Sequence, residues 1–392
     1  MTQTITQRIA LAFAFPVVFT RQAFDPANPV LAEVLLRAGP GPHRLGVVVD
    51  GGLAAADPGL PDRLDRYLRA HDEAAVLAAP PLVVPGGEGA KADFSVLEAV
   101  WRLTFEAKLC RQSFLLAIGG GAVLDAAGFA AATAHRGVRL VRMPSTALGQ
   151  NDAGVGVKNG VNAFGRKNYL GSFAPPYAVI NDHALLATLP ARDRRAGLAE
   201  AVKVAALRDA AFFQRLQELA PRLAVLDDDA LEEADWRCAK AHLDHIAGGG
   251  DPFEFGSARP LDFGHWAAHA LEEATSGALR HGEAVAVGLA LDTIYSGLIG
   301  LIAPETVRDV LALCRDLGLA VWHPALDDLA MPAAVEAFRE HLGGQLHLSL
   351  LTGIGSRVEV HEVDFARMDE ARHILRRDHA GQAARTTSSI PG

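Results

Sequence analysis

Cysteine is scarce in this chain: three in 392 residues, Cys110, Cys238 and Cys314, far apart and without a CxxC spacing. That excludes a disulfide framework and a thiolate zinc site, and leaves three small apolar side chains suited to a reducing cytoplasm. Basic runs are also missing. The formal net charge is -9 and the pI is near 5.9, which argues against nucleic acid or an anionic membrane as the main partner. A small phosphorylated ligand stays open, because local clusters can be basic on an acidic protein. No apolar run is long and clean enough for a membrane span. IALAFAFPVVF after Arg8 is broken by Pro16 and followed by no A-x-A site, so an N-terminal strand pair is expected there. AVAVGLALDTIYSGLIGLIA carries Asp292, Thr293 and Ser296, which suits a buried helix of a cytoplasmic protein.

What the chain does have is apolar content: half of its residues are hydrophobic and 21% are charged. It is therefore globular, and its length predicts two domains. The first half alternates short aliphatic runs with amphipathic segments. RLGVVVD, PLVVPGG, FLLAIGGG, RLVRMPST and YAVINDH read as strands, with DFSVLEAVWRLTFEAKL as a helix between two of them. This rhythm predicts parallel βαβ units and an open sheet. After residue 187 leucine and alanine recur at helical spacing to about residue 340, predicting a helical second domain. The expected division is 1–187, 188–378 and a disordered tail, 379–392, with a ligand site in the cleft between the two domains.

FLLAIGGGAVLDAAGFAAATAHRG reads as strand, glycine turn and helix. Such a turn lets backbone approach a pyrophosphate beside a helix N-terminus, although it also reads as a plain tight turn. Asp50 ends a strand, where an acid can accept both ribose hydroxyls of NAD; a simple turn aspartate looks the same. Glu88 and Lys91 lie on a loop at another strand end, as a ligand contact or an exposed ion pair. The segment MPSTALGQNDAGVGVKNGVNAFGRKNYLGSF reads as a long glycine-rich loop bearing Ser145, Thr146, Asp152, Lys158, Lys167 and Asn168. Loops this long inside a domain are usually functional, a solvated flexible loop being the alternative reading. RRAGLAEAVKVAAL reads as one helix with Glu200 and Lys203 in apolar company, either paired or turned to a cation and a substrate. In LDFGHWAAHALEEATSGALRHGE, helical spacing puts His265 and His269 on one face, the usual look of a metal pair.

These motifs, in this order over roughly residues 40 to 360, resemble the dehydroquinate synthase family of sugar phosphate cyclases. They also resemble the dehydroquinate-synthase-like branch of ebo-type operons. The matching stretches are GGGAVLDAAGFAAATAHRG, MPSTALGQNDAGVGVKNGVN, GRKNYLGSF, TLPARDRRAGLAEAVK, LDFGHWAAHALE and RHGEAVAVG. The resemblance implies an N-terminal NAD-binding α/β domain with an open, mostly parallel sheet, a C-terminal α-helical metal-binding domain, and a homodimer. It implies Glu200, His265 and His281 as ligands of Zn2+ (or Co2+), with His269 on the substrate phosphate instead. It implies NAD contacts at Asp50, Glu88, Lys91, Gly120, Gly121, Asp125, Ser145, Thr146, Lys167, Thr188 and Leu189. Substrate contacts are implied at Asp152, Lys158, Asn168, Lys203 and His269, with Arg136 serving the partner subunit. The implied chemistry oxidises a sugar phosphate transiently with NAD, eliminates phosphate, returns the hydride and closes a carbocycle.

The sequence departs from the family on the substrate side. Asp262 replaces the family's asparagine in LNFGH, Ala258 replaces an arginine beside Arg259, and the partner lysine of that carboxylate clamp has no match, His242 and His245 being nearest. FREHLGGQLHLSLL also lacks a phosphate-binding lysine of the family. Each charge-assisted contact is worth roughly 1.5 to 3 kcal/mol, so the sugar is expected to differ from the carboxylated heptulosonate phosphate. Relatives that cyclise sedoheptulose 7-phosphate lack the clamp too. Metal-dependent polyol dehydrogenases and a non-catalytic NAD-binding protein are the other classes open to such a chain.

Overall fold

The computed structural model describes residues 2–248, 261–341 and 344–388. The chain forms two units, Met1–Met143 with Val157–Asp182, and Pro144–Gly156 with His183–Gly392. The second unit therefore begins ahead of the expected boundary at residue 187. It also takes in residues 144–156, which a linear division assigns to the sheet.

The first unit carries β1 (Val17–Thr20), β2 (His43–Asp50), β3 (Ala75–Leu77), β4 (Leu82–Val84), β5 (Phe114–Gly119), β6 (Arg139–Pro144), β7 (Lys158–Ala163), β8 (Arg166–Phe173) and β9 (Ala178–Asp182). Its helices are α1 (Val30–Leu36), α2 (Gly51–Ala56), α3 (Leu60–Ala70), α4 (Ser95–Glu106) and α5 (Gly121–Thr133). Seven strands make one sheet in the order β1-β9-β6-β5-β2-β3, with β4 also on β2. The pairings β1–β9, β6–β9, β2–β5, β2–β3 and β2–β4 are parallel. Every residue of β5 is buried, as a central parallel strand covered on both faces requires. Asp50 is the last residue of β2, and the turn Gly87–Lys91 and Gly120 follow β4 and β5, all at the edge where open α/β sheets bind ligands.

Two expectations about the first half of the chain fail. The N-terminal strand pair does not form: only Val17–Thr20 is a strand, and Ile5, Ile9, Leu11 and Phe13 before it are exposed. The long glycine-rich loop is in fact a turn, Gly149–Ala153, followed by the antiparallel hairpin β7–β8. Gly128 explains how the hairpin seats on α5, since a Cβ there would lie 1.8 Å from Asn159 Oδ1. Small residues, rather than an apolar face, make that close approach, so hydrophobic periodicity was silent.

The second unit is helical: α6 (Ala191–Ala196), α7 (Leu198–Arg208), α8 (Ala210–Ala224), α9 (Asp228–Ala247), α10 (His265–Ala274), α11 (His281–Leu298), α12 (Pro304–Asp316), α13 (Met331–His341) and α14 (Phe365–Ser388). A hairpin, β10 (Leu348–Gly353) and β11 (Ser356–Val360), precedes α14. The single helix expected around Glu200 is broken at Gly197 into α6 and α7. Every residue of α7 except Arg208 is buried, so it is the central helix of this unit. The tail expected to lack structure continues α14 to Ser388. Its anchors are polar ones: His379 stacks on Trp322 at 4.7 Å, and Asp378 pairs with Arg315. Ala258 and Arg259 lie outside the described residues. No helix of the described residues is long and apolar enough to cross a membrane.

Candidate active site

Three glycines decide where the charged side chains of the helical unit meet. Gly264 caps α10 with φ 75°, and a Cβ there would lie 2.4 Å from Leu289 N. Gly288 faces it from α11, where a Cβ would lie 2.1 Å from Gly264 O. Gly282 lets the start of α11 abut the end of α6, a Cβ there falling 2.2 Å from Ala196 O. Backbones packed this closely bring His265 and His281, each the first residue of its helix, beside Glu200 on α7.

Glu200 is fully buried. Its Oε1 accepts no hydrogen bond among the described residues, and lies 3.7 Å from His265 Nε2 and 3.9 Å from His281 Nε2. The other nitrogen of each ring is already committed. His265 Nδ1 donates to Phe263 O at 3.3 Å, and His281 Nδ1 to Glu272 Oε2 at 3.1 Å. Both Nε2 lone pairs are thereby aimed at the orphaned carboxylate oxygen, the arrangement seen when imidazoles ligate a metal and carbonyl or carboxylate groups orient them. A buried acceptor without a donor is costly, and a divalent cation would satisfy it. Burial, then Lys203 and the other imidazoles, push His265 well below its ordinary pKa and keep it neutral. For His281 burial works the same way, but Glu272 and then Glu200 more than offset it and raise its pKa.

His269, the partner that helical spacing nominates, is exposed. Its ring is 5.7 Å from that of His265 and 6.1 Å from that of His281, and its nearest possible ligand group is Glu272 with His281. Lys203 pairs with Glu200 and is 2% exposed. Burial opposes its charge, but Glu200, Asp152 and Asp262 together hold the ammonium above its usual pKa. Asp152 is also 3.3 Å from His242 Nε2, on α9. Its turn is fastened by the neighbouring Asn151, which donates to Gly197 O and to Asp235 Oδ1, both at 3.1 Å. A Cβ on Gly197 would lie 2.5 Å from Ala147 Cβ. These contacts are why residues 144–156 belong to the helical unit. Ser145 is buried in the same segment, and Thr146 Oγ1 accepts from Gly149 N at 3.1 Å. Thr188 Oγ1 donates to Leu185 O at 2.7 Å, with Leu189 half-buried beside it.

In the sheet unit, Asp50 caps α2 by accepting from Gly52 N at 2.8 Å and Leu53 N at 3.4 Å, and its Oδ2 faces Gly120 N at 3.5 Å. A Cβ on Gly86 would lie 2.3 Å from Asp50 Oδ1, so glycine also keeps the strand tips open here. Gly120 and Gly121 are half-exposed at the start of α5. Lys91 does not pair with Glu88, which is exposed. It is buried against Asp125 and donates to Asn168 Oδ1 at 2.8 Å. Burial raises the pKa of Asp125 despite Lys91 and Arg142. Lys158, Lys167 and Asn168 are exposed on the hairpin. Arg136 stands apart from them, beyond the C-terminal end of α5, a helix of 13 residues and so about 20 Å long.

Sequence reasoning missed two side chains that organise the helical site. Glu272 holds His281, and the capital letters EE in HALEEA were the only trace of it. Asp292 accepts from Gly264 N at 2.9 Å and Trp266 Nε1 at 3.0 Å, pinning the N-terminus of α10 from α11. An acid inside an otherwise apolar helix was the available signal.

One unit carries a parallel sheet with a glycine turn, and the other buries two imidazoles against a carboxylate; together these define a two-unit α/β protein. Residues 81–196 match the model of the 3-dehydroquinate synthase N-terminal region, and residues 197–341 that of its C-terminal region. The chain belongs to the 3-dehydroquinate synthase family. It is 37% identical over 358 residues to a 2-epi-5-epi-valiolone synthase from Streptomyces glaucescens, covering 89% of this chain and 87% of that one. It is 40% identical over 300 residues to a 3-dehydroquinate synthase from Cereibacter sphaeroides, covering 74% of this chain and 80% of that one. Among solved structures it is similar to the 2-epi-5-epi-valiolone synthase of Streptomyces hygroscopicus subsp. jinggangensis with NAD+ and Zn2+ bound. That match has a TM-score of 0.83 at 30% identity, covering 95% of this chain and 100% of that one.

Proposed function

We propose that this enzyme is a sugar phosphate cyclase, a carbon–oxygen lyase that eliminates phosphate from a heptulose 7-phosphate lacking a carboxylate and closes its carbon chain into a ring. The observation that carries the choice of substrate is the charge around Lys203. This buried ammonium already answers to Glu200, Asp152 and Asp262. A substrate carboxylate brought there would meet a negative field, whereas hydroxyl groups can donate to the acids and accept from the lysine. The relatives named as valiolone synthases support the same reading.

Bound NAD and a bound divalent metal would supply reversible hydride transfer and polarisation of the sugar oxygens. Glu200, His265 and His281 fit the metal, since two nitrogens and one carboxylate oxygen leave an open position on a Zn2+ or Co2+ ion. Asp50, Gly120 and Gly121 fit the dinucleotide, the acid toward ribose hydroxyls and the glycine backbone toward the pyrophosphate. Glu88, Lys91, Asp125, Ser145, Thr146, Lys167, Thr188 and Leu189 complete that assignment. Lys203 donates to a substrate oxygen while its pairing with Glu200 fixes the carboxylate. Asp152, oriented by His242, accepts a proton from a neighbouring hydroxyl. Lys158, Asn168 and His269 bind the phosphate that leaves, and Arg136 serves the phosphate pocket of a partner subunit in a homodimer. Three free thiols suit a cytoplasmic enzyme.

The test is phosphate release from a panel of heptulose and heptulosonate 7-phosphates, with bound metal and NADH followed alongside. Sedoheptulose 7-phosphate should be turned over without accumulation of NADH. Faster release from the carboxylated substrate would overturn the substrate assignment. NADH formed in step with product would overturn the cyclase reading in favour of a polyol dehydrogenase.

A further inference from the structure

A second cluster of imidazoles sits on the hairpin β10–β11 and shares no residue with the site around Glu200. The strands are antiparallel, with Leu348 opposite Val360 and Ser349 opposite Glu359. Extending that register by one pair sets His347 opposite His361. Glu359 lies two residues before His361, so all three side chains leave the same face of the hairpin. The rings of His347 and His361 are 5.0 Å apart and perpendicular. His347 Nδ1 contacts Glu359 Oε1, and one candidate ligand atom from each of the three residues lies within 4.8 Å of the others.

The protonation pattern points to a ligand role. His361 Nδ1 donates to Leu346 O at 2.7 Å, which fixes the proton on that nitrogen and leaves Nε2 a bare lone pair. Backbone carbonyls orient metal-binding imidazoles in this way. His347 and Glu359 are only 15% and 20% exposed, so the cluster is partly desolvated while keeping one open side. Ligand atoms at about 2.1 Å from a tetrahedral ion stand about 3.4 Å apart, so small side-chain rotations close the set.

We propose that His347, Glu359 and His361 form a second divalent metal site, of two nitrogens and one oxygen, that cross-links β10 to β11. The donor set selects Zn2+, Co2+, Ni2+ or Cu2+ over Mg2+ and Ca2+. The full-length protein, stripped with a chelator and titrated with Zn2+ by calorimetry, tests it. The double variant H347Q/H361Q should bind one equivalent fewer than the parent, while Glu200→Gln should leave this equivalent in place. Unchanged stoichiometry in the double variant, or uptake at this site only at millimolar zinc, overturns the proposal. Should the double variant lose helical circular dichroism, Glu359→Gln decides: it is expected to weaken one equivalent at least tenfold, and equal affinity overturns the site.

Discussion

In the sheet unit, Lys91 is shared by Asp125 and Asn168, and Arg142 donates to Lys158 O at 2.8 Å and Asn159 Oδ1 at 2.6 Å. In the helical unit, Glu200 is just as deeply placed, yet one of its oxygens has no donor among the described residues and faces two imidazole lone pairs. In the first unit the buried ammonium of Lys91 and the guanidinium of Arg142 have oxygen partners within the unit itself. The second holds an unmet electrostatic demand, kept in place by close helix packing. The contrast separates charges paired within the fold from a buried carboxylate oxygen left without a donor among the described residues.

Glu200→Gln should break the second half of that contrast most severely. With Glu200 as the proposed metal ligand, the amide is a poor replacement there and beside Lys203, so phosphate release should fall by on the order of a thousandfold, the several kcal/mol of charge stabilisation a metal supplies. Metal content, measured by atomic emission, should fall with it while the fold is kept. In the sheet unit the matching experiment affects stability instead. Lys91→Met strands Asp125 and should cost about 3 kcal/mol in urea denaturation; adding Asp125→Asn should recover most of it. A double variant as unstable as the single one would show that Lys91 acts through packing.

Glu272→Gln sharpens the comparison on a smaller scale. It keeps an acceptor for His281 Nδ1 but removes the negative charge that raises the basicity of that imidazole, and should weaken metal affinity about tenfold with little change in thermal stability. A separate effect, read in pH dependence, concerns Asp292, whose pKa burial raises from 3.8 to about 7. The folded protein then holds this proton more tightly than the unfolded chain. Its contribution to stability is complete below about pH 4 and is lost as the pH rises to about 7. Urea midpoints measured across that range should fall more steeply in the parent than in Asp292→Asn.

Much of this was legible in the linear text. The strands β2, β5, β6 and β9 announced themselves as aliphatic runs ending in turn residues, and the order of the motifs carried the family. The hairpin β7–β8 was not legible. Its strands contain glycine, asparagine and lysine, and they are held by Gly128 against Asn159 and by Lys91 against Asn168, contacts of high sequence separation. The break at Gly197 was hidden for the same reason, because a glycine inside a helical pattern reads as tolerated until something must pass close to it.

Chain chemistry by itself determined the class of fold and the presence of acids and imidazoles in apolar company, since these follow from composition and short-range periodicity. Tertiary structure decided which imidazoles meet. Helical spacing favours His265 with His269, three and four residues being neighbours on any helix. The close approach of α10 and α11 at Gly264 and Gly288 instead turns His265 and His281 toward Glu200, with Glu272 behind. Such a meeting depends on the distance between two backbones, which no local pattern encodes.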